Sequence, residues 1–188
     1  DIVLDTFEKT NEIKPIDGRR FYLIHAYQPS EENFEQCREM GINVASQPSF
    51  LYYLGDSYYE NVGEERSKWL KPHRAWLDKD IMVAAGTDSP VTPYYPFPSL
   101  WASIARKTEV NGIQMGTEQK VSREEAIRMY TINGAYLTFE EDIKGSLEEG
   151  KLADMIILDR DIMTCPEEEI KDINVLRTFL GGKTVYEA

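Results

Sequence analysis

The stretch IMVAAGTDSP, residues 81–90, decides the fold: five apolar residues run without a polar break into a turn of Gly86, Thr87, Asp88, Ser89 and Pro90. An unbroken apolar run of that length, bounded by turn residues, suits a strand buried on both faces, as strands of parallel sheets are. Two earlier runs, FYLIHA at residues 21–26 and INVAS at residues 42–46, read the same way. Helical periodicity appears at residues 30–40, 67–79, 98–107 and 122–138, the last opening with Ser122 and Glu125 at capping-box spacing. Strands that alternate with helices imply parallel βαβ units, each helix covering a face of the sheet.

Three such units fall short of the eight that close a TIM barrel, which takes about 250 residues. The expected fold is therefore α/β, the C-terminal part of a (β/α)8 barrel over residues 1–142, with about three βα units. Beyond it the pattern changes. Residues 144–153 are rich in turn formers, and residues 154–159, 175–180 and 183–186 read as strands, the last two joined at Gly181-Gly182. Residues 143–188 are thus expected to form a separate β-rich segment. At the other end the chain opens at Asp1 without a Met, in a helical pattern that sets Val3, Leu4 and Phe7 on one face, which reads as a chain cut in the middle.

Composition narrows the function. With 41% hydrophobic and 29% charged residues in 188, the chain has the balance of a globular protein and the length to bury a core. Its formal net charge of -12 would repel a phosphate backbone, so nucleic acid is not an expected partner. No apolar run approaches the roughly 20 residues that span a bilayer, and the start is unlike a signal peptide, so no membrane association and a cytoplasmic setting are expected. Cys37 and Cys165 lack companions at metal or disulfide spacing, and Cys37 reads as a buried helix residue.

Two residues carry the functional reading. His25 ends the first apolar run and Asp88 follows the third, and both sit where a parallel strand hands over to a loop, the end at which α/β proteins build their sites. Imidazole and carboxylate are ligands for zinc and similar divalent ions, which lower the pKa of water to about 7. A catalytic zinc wants three protein ligands, and the second histidine, His73, falls on a predicted helix beside Pro72. The plain alternatives are a hydrogen-bonded core histidine for His25 and a turn or N-cap role for Asp88. Tyr52, Tyr53, Tyr58, Tyr59, Tyr94, Tyr95 and Phe97 fall in what reads as the loops after the second and third strands, where they either wall an apolar pocket or pack the loops down. Glu167, Glu168 and Glu169 read as the acidic first turn of a short helix.

The runs RRFYLIHA (residues 19–26), GINVASQPSF (41–50), AAGTDSPV (84–91), YTINGAYL (130–137) and KGSLEEGKLADMIILDRD (144–161) follow one another in this order. Together they resemble the amidohydrolase superfamily, in the branch of N-substituted formamide deformylase-like hydrolases. The resemblance implies a metal-centred barrel flanked by a small β-sandwich made from both chain ends. It matches His25 to the metal-binding histidine after the sixth strand and Asp88 to the aspartate after the eighth, which binds metal and takes a proton from the attacking water. The remaining family ligands, a His-x-His pair and residues of intermediate strands, would lie upstream of Asp1. Ile24 stands where the family usually has Glu. The implied parent hydrolyses a C–N bond of a small amide or cyclic amide with a divalent metal, zinc first by ligand type, though iron, manganese and nickel share the ligand chemistry. This chain alone is expected to be inactive, to hold no metal firmly and to self-associate as a homo-oligomer. The rival from another class is a binding or regulatory protein that keeps the fold without the metal site.

Overall fold

A computed structural model describes all 188 residues. Three short strands, β1 (Tyr22–Ile24), β2 (Asn43–Ser46) and β3 (Val83–Ala85), pair in the order β1-β2-β3, all parallel, with Leu23 beside Val44 and Val44 beside Val83. Val44 and Val83 are fully buried, as the unbroken apolar runs require, whereas β1 lies at an edge and leaves Tyr22 and Ile24 exposed. Helix α1 (Ile2–Ile13) precedes the sheet and packs on α2 (Glu31–Met40), which connects β1 to β2. Ser30 and Asn33 cap the start of α2 reciprocally, and Gly41, at φ 65°, ends it in the left-handed conformation that glycine adopts without strain. Phe34, Cys37 and Met40 point inward, and the Phe34 ring meets Trp76 edge to face at 4.4 Å.

After β2 the chain forms α3 (Ser49–Ser67) and α4 (His73–Asp78) before β3, then α5 (Phe97–Ala105), α6 (Arg123–Tyr130) and α7 (Ile132–Leu137). All nine residues of α5 are buried. The C-terminal stretch is an antiparallel sheet of β4 (Met155–Leu158), β5 (Val175–Leu180) and β6 (Lys183–Glu187), in that order, with Gly181 and Gly182 both at positive φ in the β5–β6 turn. Between β4 and β5 a 3-10 turn, Glu167–Asp172, lays Ile170 against α5, and Ile173 follows it into the same core.

The helices depart from the periodicity in three places. Residues 67–79 are not one helix: Ser67 ends α3 and the next helix is only His73–Asp78, because Pro72 disfavours the helical conformation at Lys71, which sits instead at φ 53°. Residues 49–67, whose tyrosines read as loop, are helical with a break at Gly63 (φ 80°, ψ 170°), so Tyr52, Tyr53, Tyr58 and Tyr59 are helical residues before that break. Residues 122–138 break at Thr131 (φ -128°, ψ -98°), and the turn brings Asn133 Nδ2 within 2.8 Å of the Val83 carbonyl. That carbonyl faces the free edge of β3, since the neighbouring Met82 carbonyl is taken by Val44 of β2. On α1, Leu4 is buried as expected, but Val3 is exposed.

Candidate functional site

Because the three strands are parallel, the residues after β1 and β3 emerge at one end of the sheet. His25 follows β1 directly, and its backbone N–H donates to the Ala45 carbonyl at 3.0 Å, one step beyond the paired strands. Gly86 N–H donates to Ser46 O at 3.0 Å and leads to Asp88 two residues on. Both candidate residues are left-handed, His25 at φ 71° and Asp88 at φ 57°. His and Asp are among the few non-glycine residues enriched there, yet the conformation still costs on the order of 1–2 kcal/mol. Eight non-glycine residues have positive φ, and His25, Ala26, Lys71 and Asp88 gather at this end. Such strain persists only where the surroundings over-determine it.

The surroundings do so for His25. Gln47, just past β2, donates from Nε2 to the Ala45 carbonyl at 3.2 Å, an arrangement open only to the amide nitrogen. Its Oε1 is thereby turned to His25 Nδ1 at 2.7 Å, and since that oxygen only accepts, Nδ1 carries the proton. The Nε2 lone pair of His25 is left free, the tautomer a metal ligand needs. The ring is braced by Phe50, stacked with centroids 5.6 Å apart, and by Tyr27 at 5.9 Å.

Beneath this turn lies Lys71, buried to 1% exposure, whose ammonium donates to the His25 carbonyl at 2.8 Å and sits 3.8 Å from the centre of the Tyr27 ring. Burial lowers its pKa to about 7, partly offset by the negative charge of Asp88. Asp88 also acts on the Tyr27 hydroxyl, which burial raises first and the neighbouring Tyr58 and Asp88 raise further. Both Tyr27 and Lys71 therefore feel Asp88 and touch His25. Asp88 itself is exposed, and its carboxylate accepts no hydrogen bond within the chain, so its lone pairs are available.

His73, by contrast, is a core histidine. It is 1% exposed, its Nε2 pairs with Ser46 Oγ at 2.9 Å, and burial with the nearby Arg106 and Lys71 charges keeps it neutral. Of the aromatic residues singled out in the sequence, Tyr52 packs edge-on against Trp101, and Tyr95 meets Phe97 in the core. Tyr58 faces Tyr27.

A model of the amidohydrolase family matches residues 1–186. The chain belongs to the amidohydrolase family. It is 32% identical over 188 residues to an N-substituted formamide deformylase of Arthrobacter pascens, a match that covers all of this chain and 34% of that enzyme. An uncharacterized metal-dependent hydrolase of Pyrococcus horikoshii superposes with a TM-score of 0.73 at 28% identity, over 89% of this chain and 33% of that one. A metal-dependent hydrolase of Pyrococcus furiosus gives 0.69 at 32% identity, over 87% and 32%. This amidohydrolase chain thus spans about a third of the length of the relatives it matches.

Within the amidohydrolase chain the donor chemistry fits a divalent ion as far as it goes: an imidazole with its Nε2 lone pair free and an unpaired carboxylate emerge at one end of the sheet. No group of three or more His, Cys, Asp or Glu side chains converges, so further donors would have to come from outside these residues. Gln47 lies in the run GINVASQPSF that carries the resemblance, but nothing in the sequence marks its contact with His25, nor that of Lys71. The one trace is position, Gln47 directly after an apolar strand and Lys71 between the apolar Leu70 and Pro72, where a solvated lysine is out of place.

Proposed function

We propose that this chain is the C-terminal part of a metal-dependent hydrolase that cleaves a C–N bond of a small amide or cyclic amide, with His25 as a metal ligand and Asp88 as ligand and general base. The observation that carries the reading is the Gln47 amide, which fixes the His25 tautomer at the same end of the sheet as Asp88. Membership of the amidohydrolase family supports it, as do the names of the relatives, a formamide deformylase and a metal-dependent hydrolase. In this reading β1, β2 and β3 are the last three strands of a (β/α)8 barrel over residues 1–142, and β4, β5 and β6 are half of a small sandwich within residues 143–188. The apolar β4 favours the second part: Met155, Ile156 and Ile157 are all exposed, so much of that strand's apolar surface is left open by these residues.

Zinc, the first choice for these ligand types, would when bound supply a positive centre that polarises the amide carbonyl and acidifies water. Gln47 holds His25 with Nε2 forward, and Lys71 secures the left-handed turn by its bond to the His25 carbonyl. Asp88, free of internal hydrogen bonds, accepts a proton from water as the water oxygen bonds to the amide carbon. It then returns that proton to the departing nitrogen as the C–N bond breaks, so amide and water become acid and amine and Asp88 ends ionised as it began. With two of the required donors, the 188-residue chain alone is catalytically silent.

The test is hydrolysis of an amide and cyclic-amide panel by the full-length protein beside its Asp88→Asn variant. Asp88→Asn should lower kcat by about 10²-fold or more. Full activity in Asp88→Asn, or no hydrolysis of any panel member by the metal-loaded wild type, would overturn the assignment.

A further inference from the structure

The stretch of α3 nearest His25 carries two apolar faces. On one, Leu51 and Gly55 pack toward α5 and the segment that follows it, so closely that a Cβ on Gly55 would come within 2.6 Å of Thr108 Cγ2. On the other, Phe50, Leu54, Tyr58 and Asn61 recur at helical spacing and look toward the turn after β1. There they meet Tyr27, whose ring lies 6.0 Å from Phe50 and 6.3 Å from Tyr58, nearly parallel to the latter. Leu70 floors the space, a cleft of about 290 Å³. It is open: Leu54 is 43% exposed and Tyr27 37%. It also touches the candidate site, since Phe50 and Tyr27, two of its walls, are the rings that brace His25. Its shape is held from outside by Gln28 Nε2, which donates to Arg66 O at 2.8 Å and ties the loop after β1 to the end of α3.

We infer that this cleft is a specificity subsite, which takes an uncharged hydrocarbon substituent of the amide substrate while the amide itself lies at His25 and Asp88. The inference rests on the proposed hydrolase reading and deepens it. The volume decides the size of the group: a cavity of roughly 150 Å³ holds benzene, so about 290 Å³ admits a ring or chain of some six to ten carbons. The lining decides its chemistry. Five of the seven lining residues present apolar surface, the other two, Ser57 and Asn61, are uncharged, and Lys71 is buried under Tyr27 and committed to the His25 carbonyl, so no charged side chain lines the cleft to pair with a charged substituent.

The experiment uses the full-length protein, with N-methylformamide and N-hexylformamide as probes of one reactive group and two sizes. Burial of part of the added chain should make calorimetric binding of the hexyl compound at least about tenfold tighter than that of the methyl compound. Leu54→Trp, at an exposed position where the indole fills the cleft without crowding the core, should reduce that ratio at least about fivefold. Tyr58→Ala, which enlarges the cleft, should shift the preference toward longer chains. Hydrolysis is followed separately. A size preference that Leu54→Trp removes, seen without turnover of either amide, would keep the subsite and sink the hydrolase reading. Turnover with no size preference, or with one that neither variant alters, would overturn the subsite and leave the cleft to packing by residues outside this chain.

Discussion

Four of the contacts that hold His25 do different jobs. Its backbone N–H extends the ladder to Ala45, its carbonyl is taken by Lys71, its Nδ1 by Gln47, and Phe50 stacks on the ring. The Gln47 contact alone sets the tautomer, and Gln47→Leu leaves the backbone contacts intact. That variant of the full-length protein should lose roughly 10- to 100-fold in metal affinity with little change in melting temperature, measured by competition with a chelator and by calorimetry. Cys37 makes a separate prediction. Its thiol is fully buried in α2, and burial pushes its pKa up to about 12 from an ordinary value near 9. The unfolded chain therefore sheds the thiol proton first, and the stability that Cys37 contributes is present below about pH 9 and lost between there and about pH 12. In the native protein below pH 9, a thiol reagent should modify Cys165, which is partly exposed, and spare Cys37 until unfolding. Equal rates at the two would contradict this. At this scale the sequence shows the identity of His25 and Asp88 and their place at strand ends. It is silent on Gln47 and Lys71, because which side chain meets a histidine across 22 or 46 residues is set by packing.

At the scale of elements, the link between α3 and α4 is fixed from the end of α5. Arg106, at the end of α5 and fully buried, donates to the carbonyls of Met115, Lys68, Leu70 and Lys71. Burial lowers its pKa to about 9, yet four carbonyl partners satisfy the guanidinium and fix the segment that presents Lys71 to His25. Gly116 approaches the same Lys68 carbonyl so closely that a Cβ would stand 2.2 Å from it, and its φ of 59° favours glycine as well. Arg106→Leu leaves buried carbonyls unpaired and should cost at least about 3 kcal/mol in denaturant unfolding, with Arg106→Lys unable to restore it because an ammonium lacks the planar fork. A loss within about 0.5 kcal/mol would show that the network is dispensable. The missed helix α3 belongs here too. Its 19 residues hold five tyrosines and phenylalanines together before a polar second half, so no single stripe marks it, and the apolar residues serve both the core and the cleft beside His25. The parallel strands were legible from their apolar runs, α2 from its helical periodicity and the start of α6 from its capping-box spacing.

Across the molecule, apolar surface remains where these 188 residues have no partner for it. Ile24 is 60% exposed on the edge strand of the parallel sheet, and on the antiparallel sheet Ile156, Leu180 and Val185 are exposed as well. Unpaired strand edges beside such surface favour association. The 188-residue chain on its own should therefore elute above monomer mass in size exclusion with light scattering, while a sharp monomer peak over a wide concentration range would count against the open-edge reading. In the sequence this appears only as a count of three βα units where a closed barrel needs eight. The most direct measurement is the divalent metal content of the full-length protein, purified without chelators, for wild type and for His25→Ala. At least one ion per chain in the wild type, lost or reduced at least about tenfold in His25→Ala, is the result predicted. A wild type that binds no divalent metal, or a His25→Ala protein that keeps it at full occupancy and affinity, would contradict the assignment of this end of the sheet as the metal site.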